Sequence, residues 1–525
     1  MKPFFDAYEK FVFGTLIVIT ILIRYPRTPH EIGVDSFLIH QISNSISTFG
    51  TISWALSPFS LFGMYPLSYP SGLPTLLSIV SQLLGIDMET AILITSFILA
   101  ILGTSAVYIM VKKLSENVCL SLLSAFVFSI APVFIELTSW TATTRNLFIA
   151  FLPLLIWSIF AYSQTMSRLN VHLFLIILLT FVLLASHRLY FLLILIILSY
   201  IFSYIIFNIH KKSYLKEKIT RISEKTFLIL CICAFLFLFL IQFSGISIFG
   251  NILLFYQSGS LIKGTSPIIL MINFIANYCG QIGILFPLTG LGVGLLLLKK
   301  EKRFNEIVII FIVFLSAPLL FLKYYMPIFL LPIFSFLIGL TVLNIYRRLE
   351  NTNIFINNTY QLKKKIFSIL IIAMLLGLSL VFSLFVVQKH LMTPADEYNN
   401  CEWLAEETHS LAIFFKMSGI KKFSSSDTLI GTRISASSEV LNGGGFLDAY
   451  SLGSNLINKS EIKISPIPIN KLNIESNGFF ELTAPLDRKK DNLPNNIEVL
   501  NNAVNRNTQR NTIIYDNGIH SVAVL

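Results

Sequence analysis

Long apolar runs with almost no polar interruption dominate the first 390 residues of the chain. Residues 173–185 and 227–241 are typical, since neither contains a charged side chain. Strands of a membrane β-barrel would instead alternate apolar and polar residues over about 10 positions. A helix that crosses the hydrocarbon needs about 20 predominantly apolar residues. The pattern therefore predicts a bundle of membrane-spanning α-helices.

Eleven candidate spans follow from this pattern. They lie near residues 8–25, 88–111, 117–134, 145–162, 170–186, 189–208, 226–243, 268–298, 307–322, 326–346 and 366–388. The segment 268–298 contains Gly280, Gly283 and Pro287, which predict a kink or a break. Allowing for such breaks, we expect about 11–13 spanning helices.

The composition supports a membrane protein and excludes an ordinary soluble one. Hydrophobic residues make up 54% of the chain, charged residues only 13%, and the mean hydropathy is +0.74. The five cysteines form no CxxC pair and no Cys/His ligand spacing. We therefore expect the cysteines to form neither a metal site nor a disulfide framework.

The pattern changes near residue 389, where Asn, Ser, Asp and Glu become frequent. Short apolar alternations at 462–464, 497–500 and 512–515 predict strands, and 402–415 predicts a helix. The sequence thus predicts two domains: a mainly α transmembrane domain, 1–388, and a small α/β or α+β domain, 389–525. The transmembrane domain includes a large first loop, 24–87.

Charge predicts how the chain is oriented in the membrane. Residues 1–388 carry 26 Lys and Arg against 13 Asp and Glu, whereas 389–525 carry 13 against 15. Basic loops beside spanning helices face the cytoplasm, so this excess does not indicate nucleic-acid binding. The cytoplasmic segments are then 210–225, 299–306, 347–365 and the pair Lys112–Lys113.

This orientation leaves the loop 24–87, several short turns and the C-terminal domain outside the cytoplasm. It also requires that 72–86, which is short for a span, does not cross alone. We expect this segment to be a partly inserted helix, or half of a hairpin with 52–62. The protein is thus expected in the plasma membrane, with its functional face extracytoplasmic.

Asp35 is the first candidate for chemistry on that face. It follows Glu31 in the segment EIGVDSF and precedes a helical pattern. A partly desolvated carboxylate can act as a general base toward an attacking hydroxyl. A structural interpretation is favoured by spacing alone, since Asp is a preferred N-cap of a helix. The two interpretations are compatible.

Further polar candidates come from the other outer turns. They are Glu136 and Arg145, the pair His187 and Arg188, and Lys323. These side chains can anchor at lipid headgroups or form surface ion pairs. They can also surround a lipid-linked phosphosugar, where cations stabilise the departing lipid phosphate while a carboxylate activates the nucleophile.

The order of these features resembles polytopic glycosyltransferases of the GT-C type, especially prokaryotic and archaeal ones. The order is a first helix, EIGVDSF, an interfacial helix, YPLSYPSGLP, a half-helix and the Lys112–Lys113 pair; RNLFIAFLPLLIW and SHR follow. In the tail, CEWLAEETH, SSSD and YDNG are similar to outer domains of some members. The resemblance implies a polyprenyl-phosphate sugar as donor and an essential acidic residue in the first outer loop.

The resemblance assigns roles residue by residue. Asp35 matches the acidic position of the first loop, and Glu136 can stand for a second acidic residue of a later loop. Glu31 is the nearest alternative, because Ser36 follows Asp35 where many members have a second acidic residue. The cations match a general pattern around the donor phosphate; they are Arg145, His187, Arg188 and Lys323.

The sequence thus favours an enzyme: an inverting glycosyltransferase with a polyprenyl-phosphate sugar as donor and a glycan, lipid or protein as acceptor. Its other expected partners are membrane lipids, and nucleic acid is not among them. No cofactor is assigned, and a divalent cation is left open. The tail lacks a WWDxG motif, which argues against transfer of whole oligosaccharides.

Two alternatives remain. One is a non-catalytic GT-C-like membrane protein or a lipid-linked-saccharide transporter. The other is a surface polysaccharide polymerase or ligase. A transporter is less favoured, because the predicted helix centres contain no Asp or Glu.

Overall fold

The computed structural model describes most of the first 391 residues and the strands of the tail. The described residues are 8–26, 31–49, 70–164, 169–211, 267–320, 325–351, 358–391, 417, 422–425, 441–442, 480–483, 512–516 and 521–524. The predicted strands at 462–464 and 497–500, the predicted helix at 402–415 and the predicted span at 226–243 lie outside them.

Fourteen helices are found in the described residues. They are α1 (Glu9–Ile23), α2 (Val34–Phe49), α3 (Gly72–Leu84), α4 (Met88–Ser115), α5 (Val118–Ser129), α6 (Pro132–Thr138), α7 (Thr144–Gln164), α8 (Leu169–Ser186), α9 (Leu193–Lys211), α10 (Pro267–Ile282), α11 (Leu288–Leu298), α12 (Phe304–Ser316), α13 (Met326–Asn351) and α14 (Asn358–Leu391). Short 3₁₀ turns, Arg188–Leu192 and Ala317–Leu319, precede α9 and follow α12.

Five helical segments of the described chain are long and apolar enough to cross a membrane. They are Met88–Ser115, Thr144–Ser163, Leu189–Phe207, Met326–Glu350 and Ile366–Gln388. Together α5 and α6 make a sixth candidate, bent by 63°. The protein is therefore a polytopic, multi-pass membrane protein, as the sequence predicts. The expected total of 11–13 spans includes residues outside the described ranges and stays a prediction.

The bend between α5 and α6 follows from Pro132, which cannot donate a backbone hydrogen bond and begins the new helix. The fully buried guanidinium of Arg24 lies against this bend. It donates to the Ser129 carbonyl (3.0 Å), to Thr138 Oγ1 (2.6 Å) and back to the Thr20 carbonyl of α1 (3.0 Å). A cation at the carboxyl ends of α1 and α5 also complements the helix dipoles. Arg24 thus fixes the end of the first helix.

The predicted interruption of 268–298 is confirmed. Helix α10 ends at Ile282, and α11 begins at Leu288. Gly283 adopts a φ of +112° between them, a conformation that favours glycine. Pro287 directly precedes the first residue of α11.

Helix α13 lies in the core of the bundle, whereas α14 lies on its surface. In the most apolar window of each, 83% of the α13 residues and 17% of the α14 residues are buried. Helices α5, α11 and α12 contact α13. The close contacts use small residues: Gly339 faces Ser124 of α5, and Gly292 of α11 faces the Leu337 backbone.

Helices α2 and α3 are packing partners. The two helices pack together, and Ser47 Oγ lies 2.9 Å from Ser78 Oγ. Gln82 Nε2 donates to the Ser47 carbonyl at 2.9 Å. At 13 residues, α3 is about 20 Å long and too short to cross alone, as predicted. Residues 52–62, the predicted hairpin partner, lie outside the described ranges.

The described strands of the tail form one mixed sheet in the order β2-β1-β3-β5-β4. Its strands are β1 (Lys422–Ser425), β2 (Leu441–Asn442), β3 (Phe480–Thr483), β4 (Thr512–Asp516) and β5 (Ser521–Val524). Strand β1 runs parallel to β2 and β3, and β5 runs antiparallel to β3 and β4. The predicted strand at 512–515 is confirmed as β4.

The chain divides into two compact units. Unit 1 comprises Met1–Tyr25, Ser96–Ser139 and Thr144–His390; unit 2 comprises Pro26–Thr95, Trp140–Thr143 and Leu391–Leu525. The core of unit 1 consists of apolar side chains on α4–α13, together with Ile372 of α14. The domain limits predicted from the sequence, 1–388 and 389–525, stay a prediction.

Candidate active site

Asp35 lies in the first turn of α2 and is partly exposed. The helix begins at Val34, and the Gly33 carbonyl accepts from the Ser36 and Phe37 amides at 3.0 and 3.3 Å. Gly33, with φ +95°, therefore precedes the helix, and Asp35 is its second residue. The prediction of Asp35 as N-cap is wrong, but its carboxylate still lies at the positive end of the helix dipole.

Glu31 is buried just before this turn, with 3% of its surface exposed. One oxygen of its carboxylate accepts from the Ser36 hydroxyl, and the other is bonded to Nδ1 of His40. Ser36 and His40 are themselves buried, and they lie one helical turn apart on the same face of α2. The Glu31 amide donates to Glu89 Oε1 at 2.8 Å. Glu31 is thus the centre of a buried polar network.

The same network reaches the turn Trp140–Thr143. The Ala142 amide donates to Ser36 Oγ at 2.8 Å, and the Ile32 amide donates to the Trp140 carbonyl at 3.2 Å. Trp140 Nε1 donates to the Glu89 carbonyl at 3.3 Å. Trp140 has a φ of +50°, a conformation that costs a non-glycine residue about 1–3 kcal/mol and persists only where the surroundings impose it.

The surroundings of His40 favour its charged form. Burial by itself lowers the pKa of the imidazole. The opposing contributions are the charge of Glu31, the hydrogen bond to it, and the charges of Glu89 and Asp87. Together they outweigh burial, so the pKa of His40 is raised above its ordinary value of 6.5. His40 Nδ1 and the Glu31 carboxylate are thus a buried contact pair in which the raised pKa favours the protonated imidazole.

Glu136 and Arg145 belong to unit 1, whereas Asp35 and Glu31 belong to unit 2. Glu136 is the exposed residue of α6, whose other residues are buried. Arg145 is partly exposed and is the second residue of α7. The free amides of a helix N-terminus attract anions, so this position suits the predicted phosphate contact. Both assignments stay predictions.

His187 precedes the 3₁₀ turn that leads into α9. Its Nδ1 accepts from the Leu189 amide at 3.0 Å, and its ring lies 5.8 Å from that of Tyr325. A ring nitrogen that accepts a hydrogen bond carries no proton. In this arrangement the His187 ring is neutral, and it can donate a hydrogen bond to an anion from Nε2–H. Arg188 begins the 3₁₀ turn, and Lys323 lies outside the described residues.

The sequence interpretation missed His40 and Ser36. Their spacing, four residues apart on a helix that starts just after Glu31, is the signal that could have paired them with this carboxylate. The contacts with Trp140 and Ala142 cross more than 100 residues and leave no local pattern.

In the described part of the chain, no group of three or more His, Cys, Asp or Glu is arranged to hold a metal ion. The carboxylate of Glu31 is occupied by Ser36 and His40. Glu31, Ser36 and His40 therefore do not offer a site for a divalent cation, and no chemical step is assigned to such a cation.

Comparison of the fold with solved structures gives matches over most of the chain. The ArnT protein of Cupriavidus metallidurans bound to undecaprenyl phosphate superimposes with a TM-score of 0.54 at 9% identity, covering 98% of this chain and 97% of that one. The chain has the GT-C fold. Another structure with this fold, the Archaeoglobus fulgidus oligosaccharyltransferase tethered to an acceptor peptide, matches with a TM-score of 0.55 at 12% identity.

This second match covers 83% of the chain, which spans 64% of the length of the archaeal oligosaccharyltransferase. The A. fulgidus AglB protein in complex with an inhibitory peptide and a dolichol-phosphate matches similarly, with a TM-score of 0.52 and 13% identity. At these identities the likeness establishes the GT-C fold alone. No protein-family model and no curated protein sequence matches the chain.

Proposed function

We propose that this protein is an inverting membrane glycosyltransferase that moves a sugar from a polyprenyl-phosphate donor to an acceptor outside the cytoplasm. The observation that carries the proposal is Asp35: a partly exposed carboxylate in the first turn of α2, within a GT-C fold. The ArnT and AglB structures of the same fold contain undecaprenyl phosphate and dolichol-phosphate, which supports a lipid-linked donor.

Asp35 is the general base of this reaction. Its carboxylate takes the proton of the acceptor hydroxyl as the oxygen attacks C1 of the donor sugar. A new C1–O bond forms on the face opposite the leaving group, and the bond from C1 to the phosphate oxygen breaks. The lipid phosphate leaves with the electron pair and the additional negative charge.

Arg145 and His187 are the proposed partners of that phosphate. Arg145 combines a permanent charge with its place at the start of α7. The His187 ring can donate from Nε2, because Nδ1 already accepts from Leu189. Arg188 and Lys323 complete the proposed set of phosphate contacts, and Glu136 remains the proposed second acidic residue. Such donors lower the barrier most where they meet charge that develops in the transition state.

The decisive test uses the purified protein in liposomes that contain radiolabelled polyprenyl-phosphate glucose, mannose or galactose, together with membrane extract as a source of acceptors. We expect one donor to be consumed, with release of polyprenyl phosphate and inversion at C1. Asp35→Asn should lower the rate by about 10²- to 10⁴-fold, the range for a general base. Glu301→Gln is the matched control, an exposed carboxylate that is changed to an amide in the loop before α12.

Four results would contradict this function. Full activity of Asp35→Asn excludes the assigned base. Retention at C1 excludes a single displacement. Movement of an intact lipid-linked sugar across the bilayer without cleavage identifies the transporter alternative, and joining of whole glycan chains identifies the polymerase or ligase alternative.

A further inference from the structure

Asp35 lies in the first turn of α2, and the residues on either side of Gly33 help to hold this turn. Gly33 has a left-handed conformation, and its carbonyl accepts from the Ser36 and Phe37 amides. Glycine is among the least constrained residues of an unfolded chain, so further contacts stabilise this geometry. Glu31 and Ser36, on either side of Gly33, supply such contacts.

Ser36 is the residue that joins the two halves of the surrounding network. Its hydroxyl donates to Glu31, while its oxygen accepts from the Ala142 amide. Both hydrogen-bonding capacities are thus used in a residue with no exposed surface. The bond to Glu31 closes the turn on one side, and the bond to Ala142 ties the turn to the segment Trp140–Thr143.

His40 provides the charge that keeps Glu31 in this place. A buried carboxylate is costly unless it is paired and hydrogen-bonded. Among the described residues, the charged groups that act on the pKa of His40 are Glu31, Glu89 from α4 and Asp87 before α4, and all three are acidic. Without the imidazolium, three carboxylates would share one partly buried site with no cation among these groups.

We propose that His40 is a positioning residue, which holds Asp35 in place through Glu31 and Ser36. The inference rests on the proposed function, because it assumes that Asp35 is the base and that the network holds Asp35 in place. In this role His40 and Glu31, both buried, act through the backbone rather than on the substrate. They set the backbone that carries Asp35 against the Trp140–Thr143 turn, and a base displaced by about 1 Å can lose a hundredfold in rate.

The experiment combines amide hydrogen exchange with kinetics on the intact protein in detergent. Two variants break the network: Ser36→Ala removes the bridge, and His40→Asn keeps an N–H near the position of Nδ1 but carries no charge. Ser47→Ala is the matched control, since it removes a serine hydroxyl from the same helix, bonded to Ser78 outside the network. The kinetic probes are the same polyprenyl-phosphate sugars.

In Ser36→Ala, the peptide that contains Ala142 should exchange about tenfold faster, the loss expected for one hydrogen bond. The kcat should fall by about 10- to 100-fold with little change in the KM for the donor. In the unmodified protein kcat should decline at alkaline pH as His40 loses its proton. His40→Asn should lack this alkaline limb and should have a low, flat kcat.

Unchanged exchange at Ala142 in Ser36→Ala, or faster exchange with an unchanged kcat, overturns the positioning role. An alkaline limb that persists in His40→Asn also overturns it. In these cases an inactive Asp35→Asn leaves the proposed function standing. Activity of Asp35→Asn overturns the base itself, and the positioning role with it, so the two failures are distinguishable.

Discussion

At the scale of single residues, the ion pair of His40 and Glu31 makes stability depend on pH. The folded-state pKa of His40 lies above the ordinary 6.5. Its contribution to the free energy of unfolding is therefore complete below about pH 6.5 and is lost as the pH rises through the raised value. Thermal unfolding in detergent, followed from pH 6 to pH 9, should show the midpoint falling with pH. His40→Asn should flatten this slope, and Ser47→Ala should retain it; an equal slope in all three proteins would exclude His40 as its source.

Asp35 and Glu31 could be found in the sequence because each is a carboxylate beside a membrane helix. Their different environments could not be predicted. The burial of Glu31 depends on His40, nine residues away, and on Glu89, 58 residues away. Likewise, Asp35 is the second helical residue rather than the cap, because the chain turns at Gly33 and the helix starts two residues earlier than an Asp35 cap would give.

At the scale of the helices, close packing of α11 on α13 depends on one glycine out of three. A Cβ added at Gly292 would lie 2.5 Å from the Leu337 carbonyl oxygen, whereas one added at Gly290 or Gly294 meets nothing within 4 Å. Gly292→Ala should therefore destabilise the protein by about 1–3 kcal/mol through overpacking. Gly294→Ala should be neutral or stabilising by up to about 1 kcal/mol, because alanine is the better helix former.

Thermal or denaturant unfolding of the two variants in detergent measures this difference. Equal stability of Gly292→Ala and Gly294→Ala would show that α11 can move away from α13 at no cost. The break before α11 was predictable, because Gly283 and Pro287 are local signals. It was not predictable that Gly292, rather than Gly290 or Gly294, makes the close contact. The three glycines differ only in their distance from α13.

At the scale of the whole molecule, the distribution of charge predicts which loops lie on each side of the membrane. Thr75 and Lys300 are both exposed, in α3 and in the loop before α12. In a cysteine-free background, Thr75→Cys should react with a membrane-impermeant maleimide added to intact cells. Lys300→Cys should react only after the cells are opened, because basic loops stay in the cytoplasm.

Labelling of Lys300→Cys in intact cells, or protection of Thr75→Cys, would reverse the orientation and place Asp35 on the cytoplasmic side. The helical membrane fold itself was predictable, since hydropathy alone indicates spanning helices. The pairing of α2 with α3 was not predictable, because both helices are short and their contacts, such as Ser47 with Ser78, have no sequence signature.

The contacts of Arg24 also determine when the helix α1 can reach its final position during biogenesis. Its guanidinium is satisfied by Ser129 and Thr138, which are synthesised 105 and 114 residues later. At roughly 10 residues per second the ribosome needs on the order of 10 s to reach them. During that interval the first helix carries an arginine that has not met its final partners. The amino-terminal helix therefore has to remain near the insertion machinery until α5 and α6 have emerged, and its final docking is a late event of biogenesis.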